Sequence, residues 1–255
     1  MWYSFFVKLF IVSITYKINR ILGKFFKINI RKKNNSFEDA QQHLIKIAKI
    51  DLLIDGGANL GQYAKIVRQF YKDNLLSIEP IPSNYNRILA RFIGDKKFFA
   101  ENVAIGDANG KKELYLSNFD GVSSSIYKPR KHLNYYLNIK FESKLKVKVI
   151  RLDTINLAKQ AKSIYLKLDL QGYELVALRG ASKLFHKINV IEIEVSFVEE
   201  MYTNNVTLKL LLSYLEKKGF FIYSVSDFQR TKDGRTIYAD FIFAKESLIK
   251  DTVPY

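Results

Sequence analysis

Apolar positions along this chain follow two rhythms that take turns. In 36–48, Ala40, Leu44, Ile47 and Ala48 fall at helical spacing behind Ser36-Phe37-Glu38-Asp39, which resembles a capping box. A short apolar strand at 51–55 follows and runs straight into a glycine-rich turn. The stretch 60–70 reads as a helix with Tyr63, Ala64, Val67 and Phe70 on one face. A strand at 75–79 comes next, then a helix opened by Pro82 ahead of Tyr85, Ile88, Leu89 and Phe92. The third strand spans 98–105, and Asp107-Ala108-Asn109-Gly110 is a turn before a strand at 113–116. No period is visible in 118–145, which predicts a loop-rich insertion over the functional site. Regularity returns with strands at 147–152, 164–169, 190–197, 220–225 and 238–244, and with helices starting at Asp153 and spanning 174–185 and 206–218. Such alternation predicts an α/β, doubly wound, largely parallel sheet with helices on both faces.

Composition narrows the chemistry. There is no cysteine, and His43, His132 and His186 stand far apart, so no metal site is expected. The net charge of +16 is unevenly spread. Residues 1–33 hold eight basic side chains and no acid, leaving 33 of the 41 basic residues against 25 acids in the rest. In that arm Trp2, Tyr3, Phe5, Phe6, Leu9 and Phe10 surround a lone Lys8. The run is too short and interrupted for a spanning helix, which needs about 20 apolar residues. It also lacks the form of a signal peptide. The pattern fits a helical, interfacial anchor on an anionic membrane surface, followed by a catalytic domain over 34–255.

In a doubly wound sheet, ligands bind beyond the carboxyl ends of the strands, where strand order reverses. Asp55-Gly56-Gly57-Ala58-Asn59-Leu60-Gly61 lies at the end of the first strand. Its glycines are expected to let backbone approach a ligand, and the helix that follows to offer free amides to a carboxylate. The spacing of Gly56, Gly57 and Gly61 is not that of the dinucleotide fingerprint. Asp55 would repel phosphate but accept from a ligand ammonium, directly or through water, which favours an aminoacyl, sulfonium cofactor over a nicotinamide one. Glu79, about 20 residues on, is placed to accept two ribose hydroxyls. Asn102 and Val103 end the third strand, where an amide and backbone groups can read an adenine edge.

These segments, with Glu79-Pro80, Asn102-Val103-Ala104-Ile105-Gly106-Asp107, Ser123-Ser124-Ser125, Leu152-Asp153-Thr154-Ile155 and Lys167-Leu168-Asp169-Leu170-Gln171-Gly172-Tyr173-Glu174, together resemble the FkbM-type methyltransferases over most of 51–226. The resemblance implies a Rossmann-like class I methyltransferase fold with a seven-stranded sheet and an antiparallel last strand. It implies S-adenosylmethionine as cofactor, bound by Asp55, Gly56, Gly57, Asn59, Gly61, Glu79, Asn102 and Val103. It further implies O-methylation of sugar or natural-product hydroxyls. With the arm, this points to a glycan or glycolipid acceptor handled at the cytoplasmic face of a membrane.

Period two puts Tyr165, Lys167 and Asp169 on one face of a strand, and the neighbouring strand offers Glu192 and Glu194. Lys167 is therefore expected beside Glu192 or Glu194. Asp169 is the first candidate to orient or deprotonate an acceptor hydroxyl and Glu192 the second, with Lys167 in the same cluster. His132 is a weaker candidate, and Glu174 reads as a helix cap. An RNA ribose methyltransferase is the rival reading, because a Lys-Asp-Lys-Glu group serves that chemistry elsewhere, but the concentration of charge in the arm speaks against nucleic acid. The Asn/Asp-Pro-Pro-Tyr element of many amino-group methyltransferases is absent. A scaffold that keeps the fold without turnover is the alternative from another class.

Overall fold

A computed structural model describes residues 36–130, 138–198, 201–204 and 207–249. The anchor expected in 1–33 and the candidate His132 lie outside the described residues. Helix α1 (Phe37–Ile47) opens on the expected box: Ser36 Oγ accepts from Asp39 N and the Asp39 carboxylate accepts from Ser36 N. There follow β1 (Leu52–Gly56), α2 (Gln62–Val67), β2 (Asn74–Ile78), α3 (Pro82–Arg91) and β3 (Phe98–Glu101). Next come β4 (Ala104–Ile105), β5 (Gly110–Ser117), β6 (Phe141–Ile150), α4 (Asn156–Gln160), β7 (Ile164–Leu168) and α5 (Glu174–Gly180). The chain continues with β8 (Ile188–Ser196), α6 (Leu208–Glu216), β9 (Phe220–Val225), β10 (Gln229–Arg230), β11 (Thr236–Lys245) and α7 (Glu246–Ile249).

The main sheet runs β3-β2-β1-β7-β8-β11, with β9 and the two-residue β10 both pairing with β11. Strands from β3 to β8 are mutually parallel, and β11 is antiparallel to β8 and β9. Seven substantial strands with an antiparallel close make this the class I methyltransferase form of the Rossmann-like fold. Alternate residues feed two cores. Ile54, Leu76, Leu166 and Leu168 pack with Ala158 of α4, Leu175 and Leu178 of α5, and Leu215 of α6. Leu53, Leu75, Tyr165 and Val190 face the other way, against Leu44 of α1 and Ala64 and Val67 of α2. Each such aliphatic side chain contributes about 1.5–3 kcal/mol when fully buried. The chain leaves β1 toward β2 on one side and returns as β7 on the other, so the crevice for ligands opens above β1 and β7.

Two expectations change here. The third strand is broken: β3 stops at Glu101, and Ala104–Ile105 joins a separate three-stranded sheet of order β4-β6-β5. The insertion is also shorter than its sequence suggests, because Phe141–Ile150 is a strand paired antiparallel with β5. Its inward positions, Leu145, Val147 and Val149, alternate with exposed Lys144, Lys146 and Lys148 and close a small core with Ala104 and Leu114. The lysines hide the alternation when the segment is read as loop.

Candidate active site

The turn after β1 is held by the protein itself. Gly57 N and Ala58 N donate to Ile78 O at 3.0 and 3.1 Å, Asn59 N to Glu79 Oε2 at 2.8 Å, Leu60 N to Gln62 Oε1 at 3.0 Å, and Gly61 N to Ala58 O at 2.8 Å. All five amides of the turn itself are engaged internally. The glycines answer to protein contacts too. A Cβ on Gly57, which has φ +80°, would stand 2.0 Å from Asp169 O, so only glycine lets β1 and the end of β7 meet here. A Cβ on Gly56 would strike Ile105 and Leu168 at 2.8 and 2.9 Å, and one on Gly61 would press on Phe92 and Ile88. Of these three, Gly57 alone lines the cavity above the turn.

That cavity has a volume of about 350 Å³ and is bordered by Asn59, Glu79, Val103, Ile126, Lys167 and Asp169 among others. Glu79 is 4% exposed. One carboxylate oxygen accepts from Asn59 N and the other from Ile81 N, at 2.8 and 2.9 Å. Burial pushes its pKa up to about 7 against the pull of those two amides. Asn102 is not on the wall; its Nδ2 donates to Glu79 O at 2.8 Å and fixes the acid's main chain at the strand break. Its expected reading of a ligand edge is thereby corrected, while Val103 does reach the cavity with Ala104 and Ile105.

A roof closes over this wall from residues 119–126. Asn59 Nδ2 and Asn84 Nδ2 both donate to Asp120 O, at 3.0 and 2.7 Å, and Arg87 pairs with the Asp120 carboxylate at 2.6 Å. Ser125 Oγ donates to Gln171 O at 2.8 Å, tying the far end of the roof to the segment after β7. Phe119, Asp120 and Ser123 all have left-handed backbones, with φ of 55°, 58° and 69°. Non-glycine residues hold such angles only where their surroundings impose them.

Below the cavity a row of polar side chains crosses the sheet on the α1 and α2 side. Parallel register sets Ser77 beside Asp55, Asp55 beside Lys167, and Lys167 beside Glu192. Lys167 Nζ lies 3.4 Å from Asp55 Oδ1 and 3.7 Å from Asp169 Oδ2, and 5.2 Å from the Tyr63 ring centre. Burial alone would lower the pKa of this ammonium, but the charges of Asp55, Asp169 and Glu192 outweigh it and hold the value raised. Asp55 is fully buried; desolvation raises its pKa and Lys167 draws it back. It does not border the cavity, which leaves a bridging water as its route to a ligand ammonium.

The ion pairs of Lys167 are thus with Asp55 and Asp169, not with Glu192 or Glu194. Glu192 Oε2 instead accepts from Gln41 Nε2 at 2.8 Å, Tyr63 OH at 2.9 Å and Tyr165 OH at 2.5 Å. Three neutral donors leave the ammonium to the acids on its other side. Glu192 is 4% exposed and borders neither of the two cavities beside Asp169, which removes the geometric ground for a proton-transfer role.

A second cavity of about 230 Å³ adjoins the first. Val122, Ser123, Asp169 and Gln171 border both. Gln171 fixes the boundary: its Nε2 donates to Asp169 Oδ1 at 2.7 Å and Glu194 Oε1 at 3.2 Å, while its Oε1 accepts from Tyr202 OH at 2.9 Å. Its φ of 54° is left-handed, and Gly172 follows at 95°. Glu174 Oε1 accepts from Leu170 N and Gly172 N at 2.8 and 3.1 Å, so it ties the turn before α5 and does not cap the helix as expected, and burial pushes its pKa up to about 7. Sequence reasoning missed Gln41, Gln171 and Tyr202 as site-builders. The readable signals were a glutamine on the apolar face of α1 and one placed before a turn glycine.

Residues 55–222 match the family described as the Methyltransferase FkbM domain. No curated protein matches the chain significantly. Among solved structures the chain is similar to a putative RNA methyltransferase from Pyrococcus horikoshii, at 12% identity and a TM-score of 0.40, covering 82% of this chain and 84% of that one. It is similar to the precorrin-6y C5,15-methyltransferase of Geobacter metallireducens at 12% identity and a TM-score of 0.42, covering 84% and 90%. A putative tRNA (m1A22) methyltransferase of Streptococcus pneumoniae, in complex with S-adenosyl-L-methionine, is similar at 12% identity and a TM-score of 0.41, covering 80% and 72%.

Proposed function

Because the chain belongs to the Methyltransferase FkbM domain family and takes S-adenosylmethionine as methyl donor, we propose that it methylates a hydroxyl of a sugar, glycan or glycolipid, with Asp169 handling the acceptor's proton. The observation that carries this reading is the place of Asp169 in the wall shared by two adjoining cavities. The first cavity fits the donor, its volume lying in the roughly 300–1,000 Å³ range of small-molecule sites. Ile81, Val103 and Ile126 form an apolar wall suited to a purine ring. Each Glu79 oxygen accepts one backbone amide and keeps a lone pair, which suits a ribose diol. Lys167 is the cation on the same wall, placed for an aminoacyl carboxylate.

When bound, S-adenosylmethionine supplies an electrophilic methyl group on a sulfonium. The chain's own task is alignment and proton handling. Asp169 is held by Gln171 on one oxygen and faces Lys167 with the other, so its carboxylate is fixed in the wall where an acceptor oxygen would approach. There it accepts the hydroxyl hydrogen as that oxygen becomes nucleophilic. Asp169→Asn is expected to lower kcat by about 10²–10⁴-fold while calorimetry finds cofactor affinity preserved; full turnover by that variant would remove Asp169 from the role. Labelled cofactor incubated with fractionated lipids, polysaccharides and RNA identifies the acceptor, and label in RNA alone would overturn the glycan reading.

The basic, aromatic segment 1–33 supports action at an anionic, cytoplasmic membrane face. Among the described residues no helix is long and apolar enough to cross a membrane. The full chain should sediment with phosphatidylglycerol vesicles and not with phosphatidylcholine ones, and equal sedimentation after removal of 1–33 would end this assignment.

A further inference from the structure

The second cavity carries a charge pattern that narrows the acceptor, an inference that rests on the methyl-transfer reading above. Among the described residues its border holds the carboxylates of Asp169, Glu174 and Glu194 and no lysine, arginine or histidine. Asp240 stands beside Glu194 in the antiparallel register of β8 and β11, adding a fourth acid next to the border. Lys167, on the wall of the first cavity, makes its ion pairs with Asp55 and Asp169. Among the described residues Glu174, Glu194 and Asp240 form no ion pair. Glu174 spends one oxygen on two backbone amides, and Glu194 receives a single, longer hydrogen bond from Gln171.

Burial and the neighbouring acids raise the pKa of Glu194, Glu174 and Asp240, and a cation or hydrogen-bond donor seated among them draws them back to the ionised form, in which they repel anions. No group of three or more His, Cys, Asp or Glu among the described residues is arranged to hold a metal ion, so the charge complement sought here is organic. The border also has Met201, Leu211, Val195 and Ile139 with the rings of Tyr202 and Tyr238, surfaces that suit the C–H face of a sugar. At about 230 Å³ the space is smaller than a drug-sized site of roughly 300 Å³ or more, room for one ring and not a chain of them. Four border residues are shared with the donor cavity, so a ring seated here has an edge at the wall where methyl transfer would occur.

We propose that the second cavity is the acceptor site and that it selects an amino sugar, its protonated amine facing Glu194 and Glu174 and a neighbouring hydroxyl facing Asp169. Uronic acids, sugar phosphates and the nucleic-acid backbone are rejected by the same carboxylates. The test uses the full chain saturated with S-adenosylhomocysteine and three probes: the methyl glycosides of glucosamine, glucose and glucuronic acid. Titration followed by ligand-observed NMR is expected to give glucosamine binding about tenfold tighter than glucose, as a charge-assisted hydrogen bond provides, and no binding of glucuronate. Glu194→Gln should erase most of that tenfold preference, and Asp240→Asn should reduce it by a smaller factor, with S-adenosylhomocysteine affinity reporting that each variant is folded. Glucose or glucuronate binding as tightly as glucosamine, or none of the three binding to cofactor-loaded protein, overturns the proposal. Failure to bind S-adenosylhomocysteine would instead strike the methyl-transfer reading, so the two failures are told apart.

Discussion

Lys167 shows how much a single buried charge does here. Its ammonium sits between the fully buried Asp55 and the cavity-facing Asp169, so it neutralises one acid and orients the other. Replacing it with methionine would strand Asp55 in the sheet without a counter-charge. Lys167→Met is therefore expected to cost about 3–5 kcal/mol in urea denaturation, and the double change with Asp55→Asn should regain a substantial part of that loss. Equal stability of the single and double variants would show that the pair is not coupled. The face on which Tyr165, Lys167 and Asp169 stand was legible from period two, as was the polar character of the cluster. The place of Lys167 beside Glu192 was legible too and holds in the parallel register, but its ion-pair partners were not. Period two names a face but not which flanking strand supplies the counter-ion, and that choice was made by Gln41, Tyr63 and Tyr165, which satisfy Glu192 with neutral donors. Gln41 lies 151 residues from Glu192 along the chain, beyond any local pattern.

Among the elements, the break between β3 and β4 bears most directly on the site. Asn102 follows the last residue of β3, its amide clamps Glu79 O, and the chain then departs into the small sheet. The sequence places the polar pair Glu101-Asn102 between Phe98-Phe99-Ala100 and Val103-Ala104-Ile105, and reading 98–105 as a single strand passes over this local mark of the transfer from one sheet to the other. Asn102→Ala removes the clamp while leaving the cavity wall in place. It is expected to weaken S-adenosylhomocysteine binding several-fold through a looser Glu79, and to cost about 1 kcal/mol in thermal unfolding; unchanged affinity in calorimetry would show that the clamp is merely structural. By contrast the capping box of α1, the proline at the start of α3 and the parallel succession β1, β2, β7, β8 were all readable, since each depends on neighbours in sequence or on regular alternation. Of the lysine-studded β6 only the end that overlaps the expected strand at 147–152 was readable; its first half was not, because its outward positions are charged and its partner β5 is distant.

At the scale of the whole molecule, the buried acids couple folding to pH. Glu79 and Glu174 are each pushed from an ordinary 4.5 up to about 7, chiefly by burial. Between those values the folded state binds more protons than the unfolded chain, so their contribution to stability is full below about pH 4.5 and is lost as pH rises through 7. Melting of the cofactor-free protein is accordingly expected to fall in temperature from pH 5 to pH 7.5, by an amount equivalent to a few kcal/mol. Hydrogen-bond donors from a bound ribose favour the ionised Glu79, so the stabilisation by S-adenosylhomocysteine should grow over the same interval. A melting temperature that rises with pH there would contradict the burial of these acids. The thin partition made by Ser123, Asp169 and Gln171 has a last consequence for inhibition. A single compound that joined a nucleoside to an aminohexose through a short tether could span it, and because its second half would engage as an intramolecular event, it would outcompete either fragment given alone.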